Sequence, residues 1–549
     1  MKKHIITKKL IKKAACILAA AALSMSVLCT FAGCGGASGN EGSSTEKETG
    51  EGISIYIGST IFDSSLDPVK GAMAYGYPFI NNALTRVGTD AEYTGDLAEE
   101  WQVSDDALTY TFKLREGVTF HDGSAFTAED VVFTYNEVKK NQGANENVDL
   151  SRLESAEAPD DYTVVFTLSE PYSSFLDQTA CLGIVPSDSY DSETFDTNPI
   201  GTGPWKVVQY DTAQKIIVDA NENYYAGVPS IPRVTILDME EDTAIANAKS
   251  GELDLVMVDP NYIDEAADGM HAETLDTMDV RQISLPVTEE AEYTTADGEE
   301  ITAGNNVTAD KAVREALAIG IDRQAIIDNA LNGVGKPAYG FTSNLEWGNP
   351  ASYEDGQKEK AAQILEAAGW KKRKDGIYEK NGVKCEFTLY APSGDTARYQ
   401  LAAAVAEEAE SIGIRINVDQ QTWDELSVSA ASNAVVWGWG QYDPVILKNL
   451  FYSESFTGSG TTNTVRYSDT QADALIEEAL SAGSRDKAVA AWKELQSVTA
   501  DDYAYIYIAN IEHTYFVKDG LDISTDTQIP HPHGHGTPVI CNMNDWTLE

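Results

Sequence analysis

From Ile53 onward the chain alternates two patterns, short runs with an apolar residue at every second position and longer stretches with one at every third or fourth. Ile53-Ser54-Ile55-Tyr56-Ile57-Gly58 predicts a first strand, 110–114 a second and 162–168 a third, the last entered through the Asp160-Asp161 turn. Thr127-Ala128-Glu129-Asp130 predicts a helix start, with Thr127 as N-cap, Asp130 as the capping-box acid, and Val131, Val132 and Tyr135 following on one face. Further helices are predicted over 309–331, over 358–368 before Gly369, and over 399–412 before Gly413. The last feeds 414–418, helix into strand as in a βαβ unit. The acidic, Gly/Thr-rich stretch 289–306 reads as a surface insertion. The whole is an α/β pattern in which we find no internal repeat.

The first 33 residues follow a different pattern. Lys2, Lys3, Lys8, Lys9, Lys12 and Lys13 form a basic head, and an apolar Ala/Leu/Met/Val stretch then ends at small residues, as in an export signal. No later run is long enough to span a bilayer. Phe31-Ala32-Gly33-Cys34 resembles the lipobox of bacterial lipoproteins, whose cysteine carries a diacylglyceryl group and becomes the mature N-terminus, with Phe31 standing where leucine is usual. Cys34 is therefore the expected lipidation site. An uncleaved N-terminal anchor is the alternative, and either arrangement leaves the body outside the cytoplasm. Residues 34–51, rich in Gly, Ser, Thr and Glu without apolar periodicity, read as a flexible tether.

With 549 residues, 42% of them apolar, the chain has ample material for packed cores, so disorder over most of its length is excluded. Its 87 acids and 39 bases give a net charge of −48, and loss of the leader leaves 33 bases and a charge of −54. Binding to nucleic acid by phosphate neutralisation and a polybasic grip on lipid are both excluded. Cys16 and Cys29 leave with the leader, and Cys181, Cys385 and Cys541 cannot all pair, so there is no disulfide scaffold. An enzyme, a small-molecule receptor and an extracellular interaction protein remain open.

Leu97-Ala98-Glu99-Glu100-Trp101, the run from Ser104 through Arg115, Gly117-Val118-Thr119-Phe120-His121-Asp122-Gly123 and Thr127–Val131 together resemble the signature of one family. It is the extracellular solute-binding protein family 5 of ABC importers, the peptide- and nickel-binding class. Gly201-Thr202-Gly203-Pro204-Trp205, Asn221-Glu222-Asn223-Tyr224-Tyr225, Gly251-Glu252-Leu253-Asp254, Val313–Leu317 and Ile321-Asp322-Arg323 continue it in the same order, so the similarity runs from about Ile53 beyond Leu521. Asp105 and Asp106 suit a hairpin turn, and Gly201 and Gly203 permit a tight crossing. His121 reads as a turn or packing residue rather than a base.

The resemblance implies an α/β fold of two lobes, the type II (cluster C) periplasmic-binding-protein architecture with an extra subdomain in the first lobe. Lobe I is expected over 52–285, with a side subdomain at 89–197, lobe II over 286–505, and a C-terminal return to lobe I over 506–549. It also implies a monomer without cofactor or catalysis that closes on solute by a hinge and delivers it to a membrane permease served by ATPase subunits. A di- or oligopeptide is the expected cargo, with nickel or a metal chelate as the alternative. The protein is expected on the outer face of the cytoplasmic membrane, at the cell surface or the periplasmic side.

Trp437, Trp439, Gln441, Tyr442 and Asp443 form the expected ligand-binding segment, where a β run stops at glycines, aromatics and an Asp-Pro turn. Aromatics with one carboxylate suit an amphipathic or cationic solute. The alternative is that Trp437 and Trp439, two apart on one strand face, are core. Peptide-binding relatives place an aspartate three residues ahead of the acid-Pro pair for the α-ammonium. Gly440 stands there in this chain, so amine recognition would fall to Asp443. Nickel-binding relatives share the short Tyr442-Asp443-Pro444, but the histidine they carry about a dozen residues later has no equivalent in 444–463. His531, His533 and His535 would fall on one side of an extended chain, about 6–7 Å apart, and are candidate ligands for a transition-metal cargo. A Pro/Gly-rich turn carrying surface histidines is the other reading. A secreted two-carboxylate hydrolase is the remaining alternative class, although G-x-S-x-G, H-E-x-x-H and P-loop strings are absent.

Overall fold

The computed structural model describes residues 52–549 except 59, 64, 73–75, 142, 146, 296–297, 343 and 534–536. The export signal, Cys34, the tether and His535 therefore lie outside the described residues.

The period-two runs assemble into two large mixed sheets. The first has seven strands in the order Met270–Leu275, His513–Lys518, Leu255–Val258, Ile53–Tyr56, Arg233–Leu237, Lys215–Ala220 and Trp205–Asp211. Ile53–Tyr56 runs parallel to both neighbours, with Ile55 opposite Ile236 on one side and Leu255 on the other. Its alternation buries Ile53 and Ile55 in a cluster with Trp205, Val234 and Ile236, while Tyr56 turns to a second cluster that includes Ala244 and Ile245 of helix Glu241–Ser250. The second sheet has six strands in the order Lys336–Pro337, Tyr505–Asn510, Val280–Ser284, Ala434–Trp439, Glu386–Pro392 and Arg415–Gln421. Glu386–Pro392 is parallel to both of its neighbours, and helix Thr396–Ser411 makes the crossover to Arg415–Gln421. This is the helix-into-strand unit predicted before and after Gly413, which sits at φ +85°. The helix begins three residues before the predicted 399 because the Asp395 carboxylate caps it, accepting from Arg398 N.

The chain passes from the first sheet to the second over 276–279 and returns over 511–512, where sequence reading set divisions at 285/286 and 505/506. Neither passage contains a Gly or Pro, so strand-like sequence continues through both.

A four-stranded antiparallel sheet, Ala98–Val103, Thr109–Leu114, Thr163–Leu168 and Leu153–Asp160, stands apart under helix Ala128–Lys140. Its core is aromatic: Tyr135 and Phe166 lie 4.5 Å apart by ring centroid, and Phe166 and Phe175 5.4 Å. Each such buried ring contributes about 1.5–3 kcal/mol. Asp130 accepts from Thr127 N at 2.8 Å in the predicted capping box, and Asp106 accepts from Leu108 N in the predicted hairpin turn.

His121 ties two of the sequence motifs together. Its Nδ1 accepts from Gly201 N at 3.2 Å, which leaves the proton on Nε2 to donate to Gly203 O at 3.0 Å. Burial lowers its pKa to about 4 and keeps the ring neutral. A Cβ on Gly201 would stand 1.9 Å from Ile80 O and one on Gly203 2.4 Å from Phe79 O, so the glycines serve the close crossing expected of them.

Two predictions need adjustment. The stretch 309–331 is two helices, Lys311–Gly320 and Arg323–Ala330, because Ile321 is extended and Asp322 caps a new start. The insertion 289–306 carries a hairpin of its own, Ala291–Thr294 with Glu300–Ala303. Cys181, Cys385 and Cys541 are all free.

Candidate functional site

The C-terminal ends of the parallel strands of both sheets meet around the passages, the position where open α/β sheets bind ligands. A cavity of about 440 Å³ lies there, lined by Tyr56, Gly58, Glu241 and Asp259 from the first sheet's side and by Arg281, Asp395, Arg398 and Trp423 from the second's. Passage residues Ile511 and Glu512 and the first strand residue after them, His513, form part of its wall.

Two guanidinium groups shape this cavity. Arg398 is 1% exposed and pairs with Asp395, while its Nε has no hydrogen-bond partner among the described residues. Arg281 pairs with Asp279, which is fully buried. Burial opposes the charge on Asp279, but Arg281 and the neighbouring His533 and His513 hold its carboxyl well below the usual range. Both guanidinium groups abut Gly438: a Cβ there would stand 2.2 Å from Arg281 Nη1 and 2.6 Å from Arg398 Nη2. Trp423, 48% exposed, lies under the Arg398 guanidinium at 5.5 Å and stacks on Trp437 at 6.0 Å, with Trp439 a further 6.4 Å along.

The predicted segment is divided by the fold. Trp437 is 4% exposed, donates from Nε1 to Ser284 Oγ at 3.0 Å and packs with Leu426, Ala430 and Val435. Trp439 is half-buried beside it, and its indole N–H has no partner among the described residues. Gln441, Tyr442 and Asp443 line a second cavity of about 200 Å³, whose other wall is Tyr93 from the strand Tyr93–Gly95, Tyr172, and Asp177, Gln178 and Cys181 from helix Phe175–Cys181. Tyr442 also enters the core of the first sheet, and its carbonyl accepts from Trp347 Nε1 at 2.8 Å. Asp443 accepts from Ser174 Oγ at 2.8 Å and Gln178 Nε2 at 3.2 Å, and Asp177 accepts from Tyr93 Oη at 2.5 Å. Burial pushes the Asp177 carboxyl up to about 6. Burial and the facing charge of Asp177 push Asp443 well above the carboxylate range.

The histidine segment runs beside the first passage. Thr277 and His531 form a parallel bridge, Met278 N donates to His531 O, and His533 N donates to Gly440 O. His531 and His533 have separate partners: His531 Nδ1 meets His513 Nδ1 at 3.1 Å and its Nε2 meets Gln528 Oε1 at 2.9 Å, while His533 Nδ1 meets Asp279 Oδ2 at 2.9 Å. Among the described residues no group of three or more His, Cys, Asp or Glu is placed to hold a metal ion.

Sequence reasoning missed Arg281, Arg398, Trp423 and Asp177. A signal for Arg398 was present, since it shares the helix face of Leu401, Ala402 and Val405, where a charge is costly without a partner. Asp177 is buried in the short helix Phe175–Cys181 beside the polar Gln178 and Thr179, so the sequence there carries no comparable signal.

Residues 92–463 match the sequence profile of the bacterial extracellular solute-binding proteins, family 5 (middle region). The chain is 34% identical to Protein XP55 of Streptomyces lividans, covering 85% of each chain. It is 30% identical to the oligopeptide-binding protein AppA of Bacillus subtilis, over 88% of this chain and 92% of AppA. The crystal structure of NikZ from Campylobacter jejuni in complex with Ni(L-His) superposes with a TM-score of 0.75 at 24% identity, covering 90% of this chain and 99% of NikZ, and so shares the two-lobe fold.

Proposed function

This chain is a member of the bacterial extracellular solute-binding proteins of family 5, and from that premise we propose that it is the solute-capturing lipoprotein of an ABC importer, with a short peptide as cargo. One observation carries the choice of cargo. Gly438 is backed by the guanidinium groups of Arg281 and Arg398, which line the larger cavity together with Glu241, Asp259, Asp395 and Glu512, and five residues further on Asp443 lines the smaller cavity with Asp177, Tyr93 and Tyr172. A peptide is a zwitterion, and a carboxylate at the arginines with an ammonium at the acids matches that polarity. Trp423, exposed at the cavity mouth, offers a face to a side chain.

The mechanism is closure. Both cavities take walls from both lobes, so a solute that touches both walls binds the closed arrangement better than the open one, and that difference in affinity sets the population a permease meets. Cys34 anchors the protein to the membrane. The role is binding, without chemical turnover.

Native mass spectrometry of residues 52–549, prepared without chelator, tests the cargo. A heterogeneous adduct that sequences as peptide is the expected result. A stoichiometric transition metal that is lost on replacement of His531 and His533 would instead establish metal or metal-chelate import. For the anchor, Cys34→Ala in the full chain should release the protein from the membrane fraction.

A further inference from the structure

Away from the passages the two lobes meet at the ends of helices. The chain between the passages at 276–279 and 511–512 belongs to the lobe of the second sheet, so a bond from residues 52–275 into 280–510 crosses from one lobe to the other. Helix Thr470–Leu480 ends against residues that flank the four-stranded sheet: Ala479 O accepts from Ser173 Oγ at 2.9 Å, and Leu480 O accepts from Ser173 N at 3.0 Å and Arg152 Nη1 at 3.2 Å. Helix Arg323–Ala330 ends against the turn that follows strand Leu255–Val258. There Ala330 O accepts from Asn261 Nδ2 at 3.3 Å, and Gln400 Oε1 accepts from the same nitrogen at 2.7 Å. The last carbonyls of a helix have no partner within it and carry the negative end of its dipole, so a donor, and a guanidinium above all, is favourable there. In both helices that donor comes from the opposite lobe. The donors are held ready by their own lobe. Arg152 Nε pairs with Glu170 at 2.9 Å, its Nη1 also donates to Pro171 O at 3.2 Å, and its guanidinium lies 5.1 Å from the Tyr172 ring centre. Asn261 donates to Asp259 Oδ1 from its backbone N at 2.9 Å and from Nδ2 at 2.7 Å. Little side-chain freedom is therefore lost when the lobes meet. Leu480 and Tyr172 are buried in one apolar cluster, so the first contact also removes apolar surface from water. Arg152, Ser173, Asn261, Gln400 and Leu480 all lie outside the walls of the two cavities described above.

We propose that these contacts form a latch: the first lobe caps the free C-terminal carbonyls of two helices of the second and so favours the closed cleft in the absence of solute. The latch goes beyond the reading above, in which solute contacts alone favour closure, and it holds for any cargo. Asp259 on one wall of the larger cavity and Asp395 on the other repel each other and work against it. The empty protein is thereby an equilibrium between closed and open forms rather than one fixed form. The apparent affinity for a solute that binds the closed form scales with the closed fraction, so the latch raises it by the same factor for every such solute. Specificity stays with the residues of the cavities, and the latch sets the level of affinity.

Double electron–electron resonance on the mature protein, emptied of solute, tests this with nitroxides on Glu252→Cys and Glu359→Cys, exposed positions in the first and second lobes. The empty wild type should give the closed separation as its major population. Arg152→Met and Asn261→Ala should each lower the closed-to-open ratio about three- to tenfold, as loss of a hydrogen bond does. The double variant should lower it about tenfold or more, because the two points lie on different helices and act on one equilibrium. Glu170→Gln, which removes the ion pair of Arg152 and leaves its bond to Leu480 O, should change the ratio by less than about twofold. Asn261 is exposed, so its replacement leaves the core intact and carries the test by itself if Arg152→Met unfolds. An empty wild type that is open throughout overturns the latch, and so does a ratio that Asn261→Ala and the double variant leave unchanged. Either result leaves the choice of cargo to the adduct found by mass spectrometry.

Discussion

The guanidinium of Arg398 lies where a side chain on Gly438 would have to go, 2.6 Å from the Cβ position, and Arg281 crowds the same spot at 2.2 Å. The glycine between two tryptophans is thus a matter of room for two charges. Gly438→Ala should destabilise the protein by about 1–3 kcal/mol, as overpacking does, and weaken solute binding by displacing both arginines. Urea unfolding and titration with the captured solute check both effects; an unchanged unfolding midpoint would show that the crowding can be relieved freely.

Asp279 and Arg281 pair on the passage between the lobes, and neither is exposed. Asp279→Asn should cost about 3–5 kcal/mol because it leaves a buried guanidinium unpaired. The double variant Asp279→Asn with Arg281→Met should cost less than the sum of the two single changes. The sign with pH follows from the depressed carboxyl: the stabilisation is full above the ordinary value near 4 and is lost as pH falls through the lower folded value. Wild type and Asp279→Asn should therefore converge in stability in acid, as read by denaturant melts below pH 4.

Asp177 acts in the opposite direction. Its folded carboxyl is raised to about 6, so the folded state holds a proton that the unfolded chain releases near 4, and stability falls as pH rises between those values. Asp177→Asn should be more stable than wild type at pH 7.5 by an amount on the order of 2 kcal/mol, with the advantage gone by about pH 4. A lower melting temperature for the variant at pH 7.5 would refute the assigned protonation. Such a gain bought at the expense of solute binding is the usual mark of a site kept strained for function.

His121 supplies a slope of the other sign. Its folded value, lowered to about 4 by burial, means the unfolded chain takes up a proton first, so stability falls as pH drops from about 6.5 to about 4. His121→Ala breaks the bonds to Gly201 and Gly203 and should cost about 1–3 kcal/mol at neutral pH, with the difference from wild type shrinking as pH approaches 4. Parallel melts at pH 7.5 and 5 distinguish this from simple loss of packing, which would not vary with pH.

Arg398→Met tests the proposed carboxylate end of the cleft. It keeps the stem beside Trp423 and removes the charge, so binding of a free-acid peptide should fall by about tenfold or more while its C-terminal amide is affected little. Calorimetry with the two forms of one captured peptide would show it, and equal losses for both would place Arg398 outside recognition.

Local physics accounts for what was legible from residues alone. Period-two runs such as Ile53–Tyr56 and Thr163–Leu168 became strands, and the capping signals at Thr127 and Asp130 and the glycines at 369 and 413 bounded helices, because each depends on neighbours within a few positions. The fold class was legible through motif order over most of the body. For the site, the sequence points to the strand end from Trp437 to Asp443, of which the fold sends Trp437 into the core and Asp443 to a cavity wall. What tertiary structure decided was pairing over long separations: Asp443 beside Ser174 and Gln178, Arg398 against Gly438, and His531 against His513. A buried charge is readable in sequence as an oddity on an apolar face, but its partner is chosen by how two sheets meet, and no local periodicity encodes that.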